Sequence, residues 1–81
     1  MTKIKKFNVV FAPEKSGGFT VTVPTLPGCV TYGKNLKEAK RMAQDAIKAY
    51  LTSLKKHGET VPSDDESYFA SVDVSFPTAH A

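Results

Sequence analysis

Residues 23–33 read V-P-T-L-P-G-C-V-T-Y-G, and this stretch decides how the chain folds. Apolar alternation runs into it from one side, and a long helical pattern leaves it almost at once on the other. Pro24 and Pro27 lack a backbone donor and fix φ, so neither suits the interior of a central strand. The residue before a proline is driven toward extended geometry, which makes Val23 a strand end and Leu26 part of an extended loop. Pro27-Gly28 is a turn signal, with Gly28 suited to a positive φ. Gly33 and Lys34 close the short strand that follows. The stretch therefore turns the chain from sheet to helix.

Upstream, residues 3–11 alternate, with Phe7, Val9 and Phe11 on one side and Lys6, Asn8 and Val10 on the other. That is the period of a half-buried strand. Pro13 and the Gly17-Gly18 pair mark a hairpin-like connection over residues 12–18. Phe19, Val21 and Val23 repeat the alternation, with Thr20 and Thr22 facing outward, and residues 30–32 give a third, short strand.

Downstream, Asn35-Leu36-Lys37-Glu38 has the form of a capping box. The helix it opens runs to about His57, with Gly58 as its left-handed stop. Leu36, Ala39, Ala43, Ala46, Ile47, Tyr50 and Leu54 fall on one stripe at the 3.6-residue period, and the alanines let it lie close on a sheet. Lys37, Arg41, Gln44, Lys48, Thr52 and Lys55 line one flank, whose simplest reading is a solubilising face. Met42, Ala49 and Ser53 line the other, where scattered apolar residues need no special explanation. Residues 59–66 form a polar loop holding the acidic triplet Asp64-Asp65-Glu66. Residues 68–76 read as a last strand, with Ala70, Val72, Val74 and Phe76 on one side and Phe69, Ser71, Asp73 and Ser75 on the other. Pro77 ends it, and residues 78–81 are expected to be a loose tail.

These elements predict an α+β domain over residues 1–77, in the order β-β-β-α-β. A right-handed crossover would set the last strand parallel to the first, giving a four-stranded mixed sheet of order 3-2-1-4 with one helix on one face. The other face, carrying Asn8, Val10, Thr20, Thr22, Ser71 and Asp73, would stay wet or meet a partner.

Composition narrows the function. With 81 residues, 41% of them apolar, the chain is sized for one thin core and is not intrinsically disordered. The single cysteine, Cys29, excludes an internal disulfide framework and a multi-cysteine zinc site, and suits a reducing cytosol. There is no run of 18 apolar residues, and M-T-K-I-K-K meets a β-pattern rather than a signal-peptide core, so a cytoplasmic protein without membrane contact is expected. A net charge of +3 permits an acidic or nucleic-acid partner without requiring either.

No enzyme emerges from the side chains. Two-metal phosphoryl chemistry needs carboxylates converging from neighbouring elements. The first strand offers Lys5, Lys6 and Asn8 but no acid, which leaves Asp73 and Asp45 without a central partner. Cys29 as nucleophile would need His57 or His80 as base, and the pattern places neither beside it, so a small buried cysteine is the preferred reading. One Cys and two distant His lack metal-ligand spacing. Gly17-Gly18 precedes a strand, not a helix, so it is no phosphate cradle. Neither metal nor cofactor is expected. Two binding classes remain. RNA could meet the basic flank Lys37, Arg41, Lys48 and Lys55 through phosphates, with Phe69 the aromatic on the open face. The last strand, as a long edge with no Lys or Pro inside it, predicts edge-to-edge pairing into a homodimer.

The stretch at residues 23–33, preceded by G-G-F-T-V-T and followed by N-L-K-E-A, resembles the HicB-type antitoxins of bacterial toxin–antitoxin systems. A-I-K-A-Y-L in the helix and the later G-E-T-V-P also fit, so the similarity covers about residues 7–76. The resemblance implies a partial ribonuclease-H-like fold and a non-catalytic role. Such antitoxins bind a small double-stranded-RNA-binding-like toxin, HicA, and block its mRNA-cleaving site. Under it the candidate contacts are Asp64, Asp65 and Glu66 against a basic toxin, the open-face Phe69, and the Met42/Ala49 flank. Many such antitoxins carry a C-terminal DNA-reading domain. Here the sequence stops a few residues after the last strand, which argues against direct operator binding. The alternative role is a standalone HicB-like domain that binds RNA or regulates as a homo-oligomer without a toxin.

Overall fold

A computed structural model describes residues 4–78. The alternating segments form β1 (Val10–Pro13), β2 (Phe19–Thr22) and β3 (Val30–Gly33), followed by α1 (Leu36–Lys56). The strands make an antiparallel meander of order β1-β2-β3. Its register sets Phe11 opposite Val21 and Val21 opposite Thr31, so Val21 stands at the centre of the sheet and is fully buried. β1 begins later than the expected strand over residues 3–11, because β2 ends at Thr22, opposite Val10, just ahead of Pro24. It runs on through Ala12 and Pro13, which were expected in the connection; residue 3 lies outside the described residues.

Residues 23–29 form two successive turns that lead into β3. Leu26 N donates to Val23 O (3.0 Å), Cys29 N donates to Leu26 O (2.9 Å), and Val23 N donates back to Cys29 O (3.1 Å). Gly28 takes φ +81°, as the Pro-Gly turn requires. Val23, Leu26 and Cys29 are buried together against Phe7, Val9, Ala46, Ile47, Tyr50 and Leu51. The Tyr50 hydroxyl donates to Pro27 O at 2.8 Å, tying the loop to the helix.

Asn35 caps α1, its Oδ1 accepting from Glu38 N at 2.8 Å. Glu38 reaches back to Lys34 N (2.8 Å), one residue earlier than the reciprocal bond of an ideal capping box. Gly58, at φ +69°, follows the cap residue His57 and ends the helix. Ala39 and Ala43 are the buried residues of the stripe, while Leu36 stays exposed. A Cβ on Gly33 would collide with the Ala39 backbone, so glycine there permits the close approach of helix and sheet. α1 packs over β3 and β2 and leaves the β1 side largely uncovered.

The expected fourth strand is not formed. Residues 68–76 carry no strand pairing, so the sheet has three antiparallel strands rather than four in the order 3-2-1-4. Their apolar side chains stand in solvent, with Val72 80% and Val74 76% exposed. The segment is an extended arm, and the molecule measures 58 × 30 × 20 Å. Its radius of gyration is 16.2 Å; about 12 Å is expected for a compact chain of this length. Alternation defines which residues share a side of a strand, but it carries no information about which edge the strand joins. Without a partner edge the segment forms no strand, whatever its alternation. Among the described helices none is long and apolar enough to cross a membrane.

Candidate partner-binding surface

The acidic triplet divides by role. Asp64 is buried, its Oδ1 accepting from Thr25 Oγ1 (2.6 Å) and its Oδ2 from Asn8 N (2.9 Å). Its own backbone N donates to Lys6 O at 2.7 Å. Asp65 Oδ1 accepts from Lys6 N (2.8 Å) and its Oδ2 from the Ser63 hydroxyl (3.0 Å). Together they staple the chain after the helix to the segment leading into β1. The Thr25 hydroxyl, and after it the Asn8 N–H, holds the Asp64 carboxyl below the usual carboxylate range. The Lys6 N–H, then the Ser63 hydroxyl, does the same for Asp65. Glu66 is exposed and none of these bonds involves it.

The other candidate contacts are separated in space by element. Phe69 lies on the arm and is 57% exposed. Met42 is half-buried and Ala49 exposed on one flank of α1. Lys37, Arg41, Lys48 and Lys55 are all exposed on the other flank, as their spacing predicts. Lys37 and Arg41 border a shallow hollow with Asn35 and Glu38.

A feature not foreseen in the sequence is a groove of about 780 Å³ between β1 and α1. Phe7, Val9 and Phe11 line one wall, and Ala43, Ile47 and Leu51 line the other. Lys5, Lys40 and Lys48 rim it, with Asp45 the acid among them. The side chains themselves were legible as a strand face and a helix stripe. What the pattern hid was that, among the described residues, no further strand closes the groove between them. Nearby, the Asn8 side-chain Nδ2 is buried and has no hydrogen-bond partner.

The residues weighed for catalysis stay apart. Cys29 is buried, and burial pushes its thiol pKa up, away from a reactive thiolate. His57 sits at the helix end with Nδ1 2.8 Å from Ser53 O, and His80 lies outside the described residues. Asp45 is exposed beside the groove on α1, whereas Asp73 is exposed on the arm. Among the described residues no three His, Cys, Asp or Glu side chains gather as a metal site would require.

Comparison with known proteins gives a family match over residues 7–75, described as the HicB-like antitoxin of the bacterial toxin–antitoxin system. The chain is 47% identical over 60 residues to the UPF0150 protein Ta0767 of Thermoplasma acidophilum, covering 74% of this chain and 87% of that one. It is 41% identical over 54 residues to a UPF0150 protein of Archaeoglobus fulgidus, covering 67% of this chain and 77% of the relative. A UPF0150 protein of Helicobacter pylori is 35% identical over 69 residues, 85% of this chain and 94% of its own. The matched region runs from the Phe7 wall of the groove through the turn, the helix and the staple into the arm, and the chain belongs to the HicB-like antitoxin family.

Proposed function

We propose that this protein is a non-catalytic, cytoplasmic antitoxin module that binds a small HicA-type mRNA-cleaving toxin and blocks its active site by occupancy. The family match over residues 7–75 carries this reading. The side chains support it, because the exposed features are docking features: an apolar arm, a helix flank with Met42 and Ala49, and the free carboxylate of Glu66. Residues 1–77 act as one partner-binding unit. The staple already occupies the carboxylates of Asp64 and Asp65, so contact with a basic toxin falls mainly on Glu66 and the neighbouring Phe69. The Met42/Ala49 flank is a second contact.

The test is co-expression with a small basic double-stranded-RNA-binding-like protein encoded beside this gene, followed by calorimetric titration and an mRNA-cleavage assay. Saturable binding with loss of cleavage at stoichiometric antitoxin is expected. Glu66→Lys combined with Phe69→Ala is expected to weaken capture at least about tenfold, the cost of about 1.4 kcal/mol. Cleavage that persists at saturating antitoxin defeats the proposal. A second reading has one observation in its favour, the four exposed cations Lys37, Arg41, Lys48 and Lys55 along one flank. Binding of single-stranded RNA that falls steeply with salt, and is lost in a variant with all four neutralised, would favour that reading instead.

A further inference from the structure

We propose that residues 68–76 leave their own subunit and lie along the free edge of β1 in a second copy, reciprocally, with Val72, Val74 and Phe76 filling the groove between that copy's β1 and α1. Three independent observations meet at this point. The first is the vacant groove. α1 covers β3 and β2, so Phe11 of β1, Phe7 and Val9 of the segment leading into it, and Ile47 and Leu51 of the helix remain only half-buried. The second is the edge. β1 pairs with β2 on one side, and among the described residues no strand pairs with its other side. An uncovered edge of this kind is a template for an added strand.

The third is the arm. It alternates with the two-residue period of a strand, and its apolar side, with Val72 80% and Phe76 76% exposed, has no cover of its own. Exposed apolar surface of this extent marks an interaction site. Residues 68–76 match in length the nine residues 5–13 that run from the groove rim to the end of β1. The staple fixes where the arm begins, since Asp64 is held to Lys6 and Asn8 at the approach to β1. Beyond it none of the arm's residues lines the groove, and the molecule extends over 58 Å. An arm that leaves one body and a groove that lacks a strand complete each other when two copies exchange arms about a two-fold axis.

The occupant is therefore a second copy of this chain, because the chain itself supplies the missing strand with the right side pattern and length. In that seat Phe69, Ser71, Asp73 and Ser75 point away from the helix, so Phe69 remains on the open face. The exchange does not depend on the antitoxin reading, and a failure of either leaves the other standing.

The test uses the full chain alone, without toxin. Light scattering over a wide concentration range is expected to give a two-chain mass. A mixture of differently isotope-labelled copies is expected to show intermolecular contacts between the methyl groups of Val72 or Val74 and those of Ile47 or Leu51. Val72→Lys with Val74→Lys lies on exposed positions, so it leaves the body folded, as helical circular dichroism will verify. It is expected to weaken the dimer at least about tenfold. A one-chain mass at the highest concentration overturns the proposal, whether the arm is free or closes on its own groove. So does a dimer that survives both lysines, or one without intermolecular arm-to-helix contacts.

Discussion

A single methyl group at residue 33 would meet the backbone of Ala39, which cannot move without shifting the first turn of α1. Gly33→Ala is therefore expected to destabilise the protein by about 1–3 kcal/mol, measured by urea unfolding. Leu26 presents the converse case. It is 1% exposed at the heart of the turn, and Leu26→Ala should cost about 2–5 kcal/mol through lost burial and a residual cavity. Asp64 and Asp65 make stability depend on acid. Both carboxyls titrate lower in the folded chain than the usual value, so the unfolded state takes up protons first as pH falls. Their contribution is complete above about pH 5 and is lost as pH drops through about 4 and below. Melting temperature should be level from neutral pH to that point and then fall. Asp64→Asn should lower the neutral value and flatten the acid limb. None of this was legible for Asp64 from sequence. An acidic triplet in a polar loop has the composition of a solvated surface, and its partner Thr25 lies 39 positions away. Gly28 was legible because the requirement there is local, a positive φ after a proline.

At the scale of elements, local chemistry was enough. The three short strands, the cap at Asn35, the alanine stripe and the Gly58 stop all follow from periods and caps set within a few residues, and all are present. Asn35→Ala should cost about 1 kcal/mol and fray the first turn, which amide hydrogen exchange at Lys37 and Glu38 would register. The helix was expected to cover a sheet of four strands. It rests instead on β3 and β2, because Gly33 and Ala39 let it approach there most closely. That off-centre seat opens the groove over β1. The arm is where element-level reading stopped short. Its alternation led to the expectation of a strand that the structure does not contain, because a strand forms only against a partner edge, which no local pattern encodes.

At the scale of the whole molecule, the extended form leaves an apolar arm and an apolar groove in water together, a state that mass action will remove if copies exchange arms. Unfolding then becomes coupled to dissociation, and stability depends on protein concentration. For two 8.8 kDa chains unfolding as one unit, each tenfold rise in concentration should raise the melting temperature by about 3–5 °C. Val72→Lys with Val74→Lys should melt at a temperature that does not move with concentration. The same comparison separates exchange from cis closure, because an arm folded on its own groove would be disrupted by both lysines and yet show no concentration dependence in the parent chain. The exchanged form also suits the proposed antitoxin role: it would place two Glu66–Phe69 segments on one particle, so that one dimer can hold two toxin molecules. Calorimetry of the parent chain with toxin should then give one toxin per chain and a complex of two chains with two toxins by light scattering. The lysine variant should keep the same ratio at half the mass.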